Sequence, residues 1–129
     1  MKDPNIYQPS EVELEILQIL WEKQPASVRT VHEQILQNRE VSYTTVLTFL
    51  QRMTEKEMVR RHKQGKVHYY EAVPKEAEVQ ESLFKRLLNT AYKGSAMKMV
   101  MHALGQGKVD QAELEKLQEW LVQQKQKDE

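Results

Sequence analysis

Residues 1–40 show the apolar periodicity of two α-helices. Ser10 and Glu13 form a capping-box pattern at the start of the first helix. Its apolar residues fall into two stripes on opposite sides, Val12, Ile16, Ile19 and Leu20 on one and Leu14, Leu17 and Trp21 on the other. A helix that is apolar on two sides is expected to pack between two partners. Pro25 then breaks the pattern, and Ser27 is the expected N-cap of a second helix.

Residues 42–71 indicate a third helix followed by a β-hairpin. Ser42 is the expected N-cap, and apolar residues at i, i+3, i+4 and i+7 mark one face of this helix: Val46, Phe49, Leu50 and Met53. Two short runs rich in Val and Tyr, 59–63 and 66–71, then flank a turn expected at Gln64-Gly65. Three helices and a hairpin within roughly 65 residues are typical of a winged helix-turn-helix.

The chain after Pro74 has the pattern of three further amphipathic helices. The second of them restarts at Gly94-Ser95, and Asp110 and Glu113 form another capping box before the third. Three short helices make a thin core alone, so their apolar faces are expected to meet a second copy of the chain. The residues expected at this dimer interface are Leu83, Leu87, Val100, Leu114, Leu117, Trp120 and Leu121.

These elements predict a mainly α fold with a small β-hairpin. We expect a winged-helix DNA-binding domain over residues 1–73 and a C-terminal helical dimerisation region over residues 74–129. No internal repeat occurs in the sequence.

The formal net charge is zero, because 19 basic residues balance 19 acidic ones, but the charge is unevenly distributed. Residues 41–75 hold 7 basic and 3 acidic side chains, whereas residues 1–40 hold 4 and 7 and residues 76–129 hold 8 and 9. The positive segment coincides with the third helix and the hairpin. This distribution favours contact with a polyanion on one face of the molecule.

The polar side of the third helix carries groups that suit a DNA groove. With Val46, Phe49, Leu50 and Met53 pointing inward, the outward arc contains Thr44, Leu47, Thr48 and Gln51, with Thr45 and Arg52 at its edge. Hydroxyl and amide groups can bond base edges, and a leucine can contact a thymine methyl group. Ser42 and Arg52 suit phosphate, which fixes position without reading sequence. The alternative is a solvated polar helix face.

The hairpin is basic around its turn. Arg60, Arg61, Lys63 and Lys66 surround Gly65. We expect Arg61, Lys63 and Lys66 to grip the phosphate backbone beside the third helix. The alternative, compatible with the first, is an edge ribbon that charge protects against aggregation.

Catalytic, metal and membrane signals are absent from the sequence. There are no cysteines, which excludes disulfides and thiolate metal sites and fits a reducing compartment. The histidines have no metal-ligand spacing, and no phosphate loop or nucleophile motif occurs. No run approaches 18 apolar residues, and no basic-then-apolar stretch opens the chain. We expect a cytoplasmic protein that is not an enzyme, has no cofactor or metal, and makes no membrane contact.

Several of these segments together resemble the penicillinase-repressor family, BlaI and MecI with a copper-responsive CopY branch. The first helix, residues 10–21, is similar to the family's "S-x-x-E-hydrophobic-E" helix ending in Trp. Residues 41–53, VSYTTVLTFLQRM, resemble the family's "S-x-x-T-V-x-T-L-L-x-R-L" recognition helix. Residues 65–70 resemble the family's wing. Gly94-Ser95 resembles the signature that precedes the family's penultimate helix.

The resemblance implies a homodimeric transcriptional repressor on a palindromic DNA operator, with a membrane-bound sensor protease acting upstream. By position, Ser42, Thr45, Thr48 and Arg52 match the family's DNA-contact residues. Positions 44 and 47 are commonly basic in the family but are Thr44 and Leu47 here, which predicts a different operator or affinity.

Three departures bear on structure and control. The family's glycine after the recognition helix is Glu57, so a different helix exit is expected. The Cys-x-Cys pairs of the copper-responsive branch are missing, which argues against copper sensing through thiolates. The family's Asn-Phe cleavage pair corresponds to His102-Ala103, so the resemblance does not extend to the residues at the proteolytic cleavage position.

Two rival functions remain open at this point. One is a winged-helix protein-interaction module whose basic wing docks an acidic partner, and the mild overall charge is compatible with it. The other is a regulator with a small-molecule pocket between its C-terminal helices.

Overall fold

The computed structural model describes residues 4–127, with the backbone alone for residues 4 and 5. A 3₁₀ turn at Pro4–Tyr7 precedes eight elements in chain order: α1 (Glu11–Lys23), α2 (Val28–Leu36), α3 (Tyr43–Glu55), β1 (Val59–Gln64), β2 (Val67–Ala72), α4 (Glu76–Ala91), α5 (Ala96–Gly105) and α6 (Gln111–Lys127). They form two compact units, Met1–Lys85 and Arg86–Glu129, and the division falls inside α4 rather than at Pro74. The predicted mainly α fold with one hairpin is confirmed.

The helix starts lie where the sequence places the caps. Ser10 Oγ accepts a hydrogen bond from the Glu13 backbone N–H at 3.3 Å, and Glu13 Oε1 accepts one from the Ser10 N–H at 2.9 Å. Ser27 and Ser42 cap α2 and α3 in the same way, each accepting from the N–H three residues on. These caps satisfy backbone donors that have no partner inside the helix.

The core of the first unit lies between the three N-terminal helices and the hairpin. Its fully buried side chains include Ile16, Leu17, Leu20, Val31, Ile35, Val46, Leu50, Met53, Met58 and Tyr70. Trp21, on the second apolar side of α1, donates from Nε1 to the Pro74 carbonyl at 3.1 Å. Val79 of α4 is buried and lines one groove with Leu14 and Trp21. The first half of α4 therefore covers the second stripe of α1, as its two-sided pattern predicts.

The hairpin pairs antiparallel from Val59 opposite Ala72 to Gln64 opposite Val67. The turn residues are thus Gly65 and Lys66, one position later than expected. Gly65 has φ +63°, and glycine at the first central position is the pattern of type II′ hairpin turns. On the other edge of β2, Ala26 and Tyr70 exchange backbone hydrogen bonds of 3.1 and 2.8 Å. The α1–α2 loop therefore anchors the hairpin to the helices.

The exit of α3 has the geometry that a glycine would give, so the expectation of a different exit is wrong. Glu57 itself adopts φ +62°. Its N–H bonds the Thr54 carbonyl at 3.0 Å, and the Met58 N–H bonds the Met53 carbonyl at 2.8 Å, which is the Schellman pattern. Met53 and Met58 are both buried. Their packing holds Glu57 in a left-handed conformation that disfavours side chains with a Cβ.

Glu57→Gly is therefore expected to raise the free energy of unfolding by about 0.5–1 kcal/mol, because strain is removed although the unfolded chain gains freedom. Urea denaturation measures this change. The matched control is Glu55→Gly, since Glu55 is exposed, lies in the last turn of α3 and has no side-chain partner among the described residues. That variant is expected to lose about 0.5–1 kcal/mol. A Glu57→Gly protein that is less stable than the parent would show that Glu57 is not strained at the exit of α3.

Glu13 also ties α1 to the C-terminal end of α3. Its side chain is only 9% exposed, and Lys56 Nζ donates to Glu13 Oε2 at 2.8 Å. Burial raises the pKa of Glu13. The hydrogen bonds from Lys56 and from the Ser10 backbone together lower it by a larger amount, so the net pKa is below its ordinary value of 4.5. The carboxylate therefore stays charged in the folded protein.

A lowered pKa means that ionised Glu13 stabilises the fold above about pH 4.5, and that this contribution is lost as pH falls through the folded-state pKa. Glu13→Gln is expected to be less stable than the parent at pH 7, with the difference shrinking towards pH 3. Urea denaturation at both pH values tests this. A difference that is equal at the two pH values would show that the charge contributes nothing.

The second unit leaves its apolar side chains uncovered. Within the described residues of α5 and α6, none is buried. The large exposed apolar side chains of these two helices are Met97, Val100, Met101, Leu114, Leu117, Trp120, Leu121 and Val122. Over residues 4–127, no helix has both the length and the apolar character needed to cross a membrane.

Candidate nucleic-acid interface

The outward side of α3 presents free polar groups. Thr44, Gln51 and Arg52 are exposed, and none of their side chains has a hydrogen bond or ion pair within the described residues. Thr48, between them along the helix, is half-buried. These donors and acceptors are therefore available to a ligand on this side of the helix.

Leu47 departs from the expected outward position. It is half-buried and packs against the core of the first unit. The reason lies in the helix geometry, because Leu47 precedes Leu50 by three residues and so lies only about 60° from it around the axis. Only part of the Leu47 side chain remains accessible for contact with a base methyl group.

The first turn of α3 is ordered by its own hydroxyl groups. Ser42 Oγ accepts from the Thr45 backbone N–H at 3.1 Å and lies 2.8 Å from Thr45 Oγ1, with either hydroxyl as the donor. Ser42 and Thr45 are both exposed. The two predicted contact residues therefore sit together at the start of the helix, and their mutual hydrogen bonds fix their orientation.

Tyr43 is a candidate that apolar periodicity does not single out. It is the first residue of α3 and is 48% exposed. Its ring meets the His32 ring edge-on, with centroids 5.8 Å apart and an interplanar angle of 84°. His32 Nε2 in turn lies 2.7 Å from the Val41 carbonyl oxygen. The only sequence signal for Tyr43 as a contact residue is that it is an aromatic residue directly after an N-cap serine.

The hairpin carries unpaired positive charge next to this helix. Arg61, Lys63 and Lys66 are exposed, and in the part of the chain that the structure describes none of them forms an ion pair. β1 follows α3 after a short turn and contacts it, and Val59 of β1 belongs to the same core as the buried side of α3. The cationic groups and the polar face of α3 therefore belong to one compact unit.

Residues 4–127 contain no group of three or more His, Asp and Glu side chains placed to hold a metal ion. The surface offers hydrogen-bond donors, acceptors and fixed positive charge. This set can bind a polyanion and discriminate among patterns of hydrogen-bonding groups.

The residues predicted for dimerisation fall into two groups. Leu83 is half-buried and lines the groove beside Leu14 and Trp21 in the first unit. The remaining predicted residues, Leu87, Val100, Leu114, Leu117, Trp120 and Leu121, are all exposed. Val109, Leu117 and Trp120 line one groove on the surface of the second unit.

A donor-bearing helix beside a cationic hairpin, carried on a three-helix core, defines a winged-helix transcriptional regulator. The family model described as penicillinase repressor matches residues 9–123, and the chain belongs to that family. The family consists of transcriptional repressors rather than enzymes. The resemblance stated from the sequence motifs is therefore confirmed.

Individual relatives agree with this assignment. The chain is 29% identical over 115 residues to the methicillin resistance regulatory protein MecI of Mammaliicoccus sciuri, covering 89% of this chain and 94% of MecI. It is 30% identical over 105 residues to the transcriptional regulator BlaI of Mycobacterium tuberculosis, covering 80% and 76%. The solved structure of monomeric Bacillus licheniformis BlaI with the blaP half-operator matches with TM-score 0.50 and 28% identity, covering 60% of this chain and 93% of that one.

Proposed function

We propose that this protein is a homodimeric repressor that acts in the cytoplasm by binding a palindromic operator in duplex DNA. One observation carries the proposal: the unpartnered groups on α3, Thr44, Gln51 and Arg52, lie in the same unit as unpaired cations of the hairpin. The similar BlaI structure is a complex with a half-operator, which supports duplex DNA as the ligand.

The α3 face both reads the base sequence and positions the helix on the duplex. Thr44, Thr48 and Gln51 bond base edges in the major groove, where base pairs present distinct donor and acceptor patterns. Ser42, Thr45 and Arg52 lie at the ends of this face and hold phosphates, which set the register of the helix on the duplex. Leu47 contributes an apolar contact through the part of its side chain that is exposed.

The hairpin supplies affinity without sequence preference. Arg61, Lys63 and Lys66 neutralise backbone phosphates and release condensed counterions, so the affinity falls as salt rises. The family pattern that the chain resembles is commonly basic at positions 44 and 47, whereas this chain has Thr44 and Leu47. Because α3 carries fewer positive charges, the hairpin contributes a larger share of the electrostatic attraction to DNA in this chain.

The second unit supplies the dimer. Leu114, Leu117 and Leu121 recur along one side of α6 and are all exposed, and Trp120 is 56% exposed beside them. Uncovered apolar surface of this kind marks an interaction site. Short helices also need tertiary packing for stability, which a second copy of the same unit provides. A symmetric dimer then places two α3 helices on two half-sites.

A membrane-bound sensor protease acting upstream remains a prediction from the family. The pair at the family's cleavage position, His102 and Ala103, is exposed on α5. Tyr92 Oη lies 2.7 Å from His102 Nδ1, which holds the segment directly after α4 to α5 next to this pair. Incubation of the purified chain with its candidate protease, followed by mass spectrometry of the fragments, tests cleavage at this position.

A fluorescence anisotropy titration with a random-sequence duplex tests DNA binding itself. The proposal predicts binding at about 50 mM salt that weakens by orders of magnitude towards 200 mM. Polyglutamate of matching charge serves as the competitor, since it represents the acidic partner of the rival function. If polyglutamate binds as tightly as the duplex, the wing is a general anion surface and the DNA proposal fails.

Lys63→Gln with Lys66→Gln is expected to lower the slope of log affinity against log salt by up to about 2, roughly 0.9 for each lost phosphate contact. The measurement is the same titration at four salt concentrations. Lys98→Gln with Lys108→Gln removes two exposed lysines from the second unit and serves as the control. An equal change of slope in both double variants would remove the wing from the phosphate contacts.

A further inference from the structure

The pairing register divides the wing, residues 59–72, into two chemically different faces. Residues directly opposite each other share a face, and faces alternate along each strand. Arg61 opposite Tyr70 and Lys63 opposite His68 share the face of the buried residues Val59 and Tyr70. We call this the inner face. The outer face carries Arg60, Glu71, His62, Tyr69, Gln64 and Val67.

The two histidines of the wing have different surroundings. On the outer face, His62 stacks on Tyr69 with centroids 6.2 Å apart, and its Nδ1 lies 3.7 Å from Glu71 Oε1. On the inner face, His68 is exposed and has no hydrogen bond or ion pair with any described residue. Only His68 therefore has a free imidazole to offer to a ligand.

The charged side chains of the wing next to His68 have one sign. Lys63 faces it directly, Arg61 lies two pairs further in on the same face, and Lys66 precedes it in the turn, while Tyr70 on the same face is buried. Ala26, which pairs with the other side of β2 at Tyr70, carries no charge. Glu71, the one carboxylate of the wing, lies on the outer face. Nothing on the inner face satisfies a protonated imidazole, whereas a phosphate would.

We propose that the inner face of the wing lies against the phosphate backbone and that His68, as imidazolium, is a further phosphate-binding residue. The proposal rests on the DNA-binding function argued above. Imidazole changes charge between pH 5 and 8, and an adjacent anion favours its charged form. Binding therefore takes up a proton at His68, and DNA affinity increases as pH falls.

The test is anisotropy titration of the full chain with a random-sequence duplex at pH 6 and pH 8 and constant salt. We expect the parent to bind about 10-fold more tightly at pH 6, the size of one charge-assisted contact. His68→Gln is expected to abolish this difference and to match the parent at pH 8. His68→Lys is expected to bind tightly at both pH values, because its charge is permanent over this range.

His62→Gln is the matched control, because it changes the histidine on the outer face and is expected to keep the pH dependence. Circular dichroism of each variant at both pH values confirms that the fold is unchanged. A pH dependence that survives in His68→Gln, or that disappears in His62→Gln instead, would overturn the proposal. Absence of duplex binding by the parent at pH 8 would instead overturn the DNA-binding function itself.

Discussion

Leu117→Asp is expected to convert the protein from dimer to monomer in sedimentation experiments. Leu117 is 38% exposed in the single chain and lines the groove of the second unit with Trp120. In a dimer this surface is covered, and an aspartate there would be an unpaired charge removed from water, which costs several kcal/mol. The variant's operator affinity is expected to fall by about 100-fold or more, since two linked half-site contacts become one.

The matched control is Gln123→Asp, which adds the same charge to an exposed polar position of α6. It is expected to remain dimeric at the same concentration. Circular dichroism distinguishes dissociation from loss of helix in both variants. A Leu117→Asp protein that still sediments as a dimer would remove this groove from the interface.

Arg52→Ala is expected to weaken operator binding by something on the order of 1–3 kcal/mol, or roughly 5- to 150-fold. Arg52 is exposed in the last turn of α3 and has no partner in the described chain, so its guanidinium is available to a phosphate. Arg52→Lys is expected to recover only part of the loss, because lysine keeps the charge without the planar fork.

Lys108→Ala serves as the control for Arg52→Ala, since it removes one exposed positive charge from the second unit. Its affinity is expected to stay close to that of the parent. Equal losses in the two variants would show that Arg52 acts only through overall charge. Unchanged affinity in Arg52→Ala would exclude the contact.

Local chemistry made much of this fold predictable from the sequence. The serine caps at positions 10, 27 and 42 and the Asp110–Glu113 capping box all have the predicted hydrogen bonds. Each depends on residues three positions apart, so no long-range information is needed. The buried face of α3 was predictable for the same reason, because a period of 3.6 residues determines which side chains share a side.

Features that depend on pairing between distant segments were not predictable in the same way. The hairpin turn lies one residue later than expected, so Lys63 lies opposite His68 and not opposite Lys66, which would be its partner with a turn at Gln64-Gly65. The expected turn therefore gives the wrong cross-strand partner for His68, which would be Arg61. Leu47 is a similar case, because its contact with the core depends on how α3 packs.

The exit of α3 shows packing overriding local preference. A glutamate at position 57 argues locally against a left-handed residue, yet Glu57 has φ +62°. The burial of Met53 and Met58 on either side of the turn supplies the compensating stabilisation. Likewise, the link between Glu13 and Lys56 joins residues 43 positions apart, which no pattern in either segment indicates.

Selection of bound duplexes from a random-sequence library tests most directly whether the polar face of α3 reads DNA. We predict an enriched palindrome whose half-sites lie about one helical turn, roughly 10 base pairs, or a multiple of it apart. Gln51→Ala is predicted to relax the enriched sequence at one position in each half-site while leaving the spacing unchanged. A library that shows no enriched sequence, or the same sequence with the parent and with Gln51→Ala, Thr44→Ala and Thr48→Ala, would contradict the account.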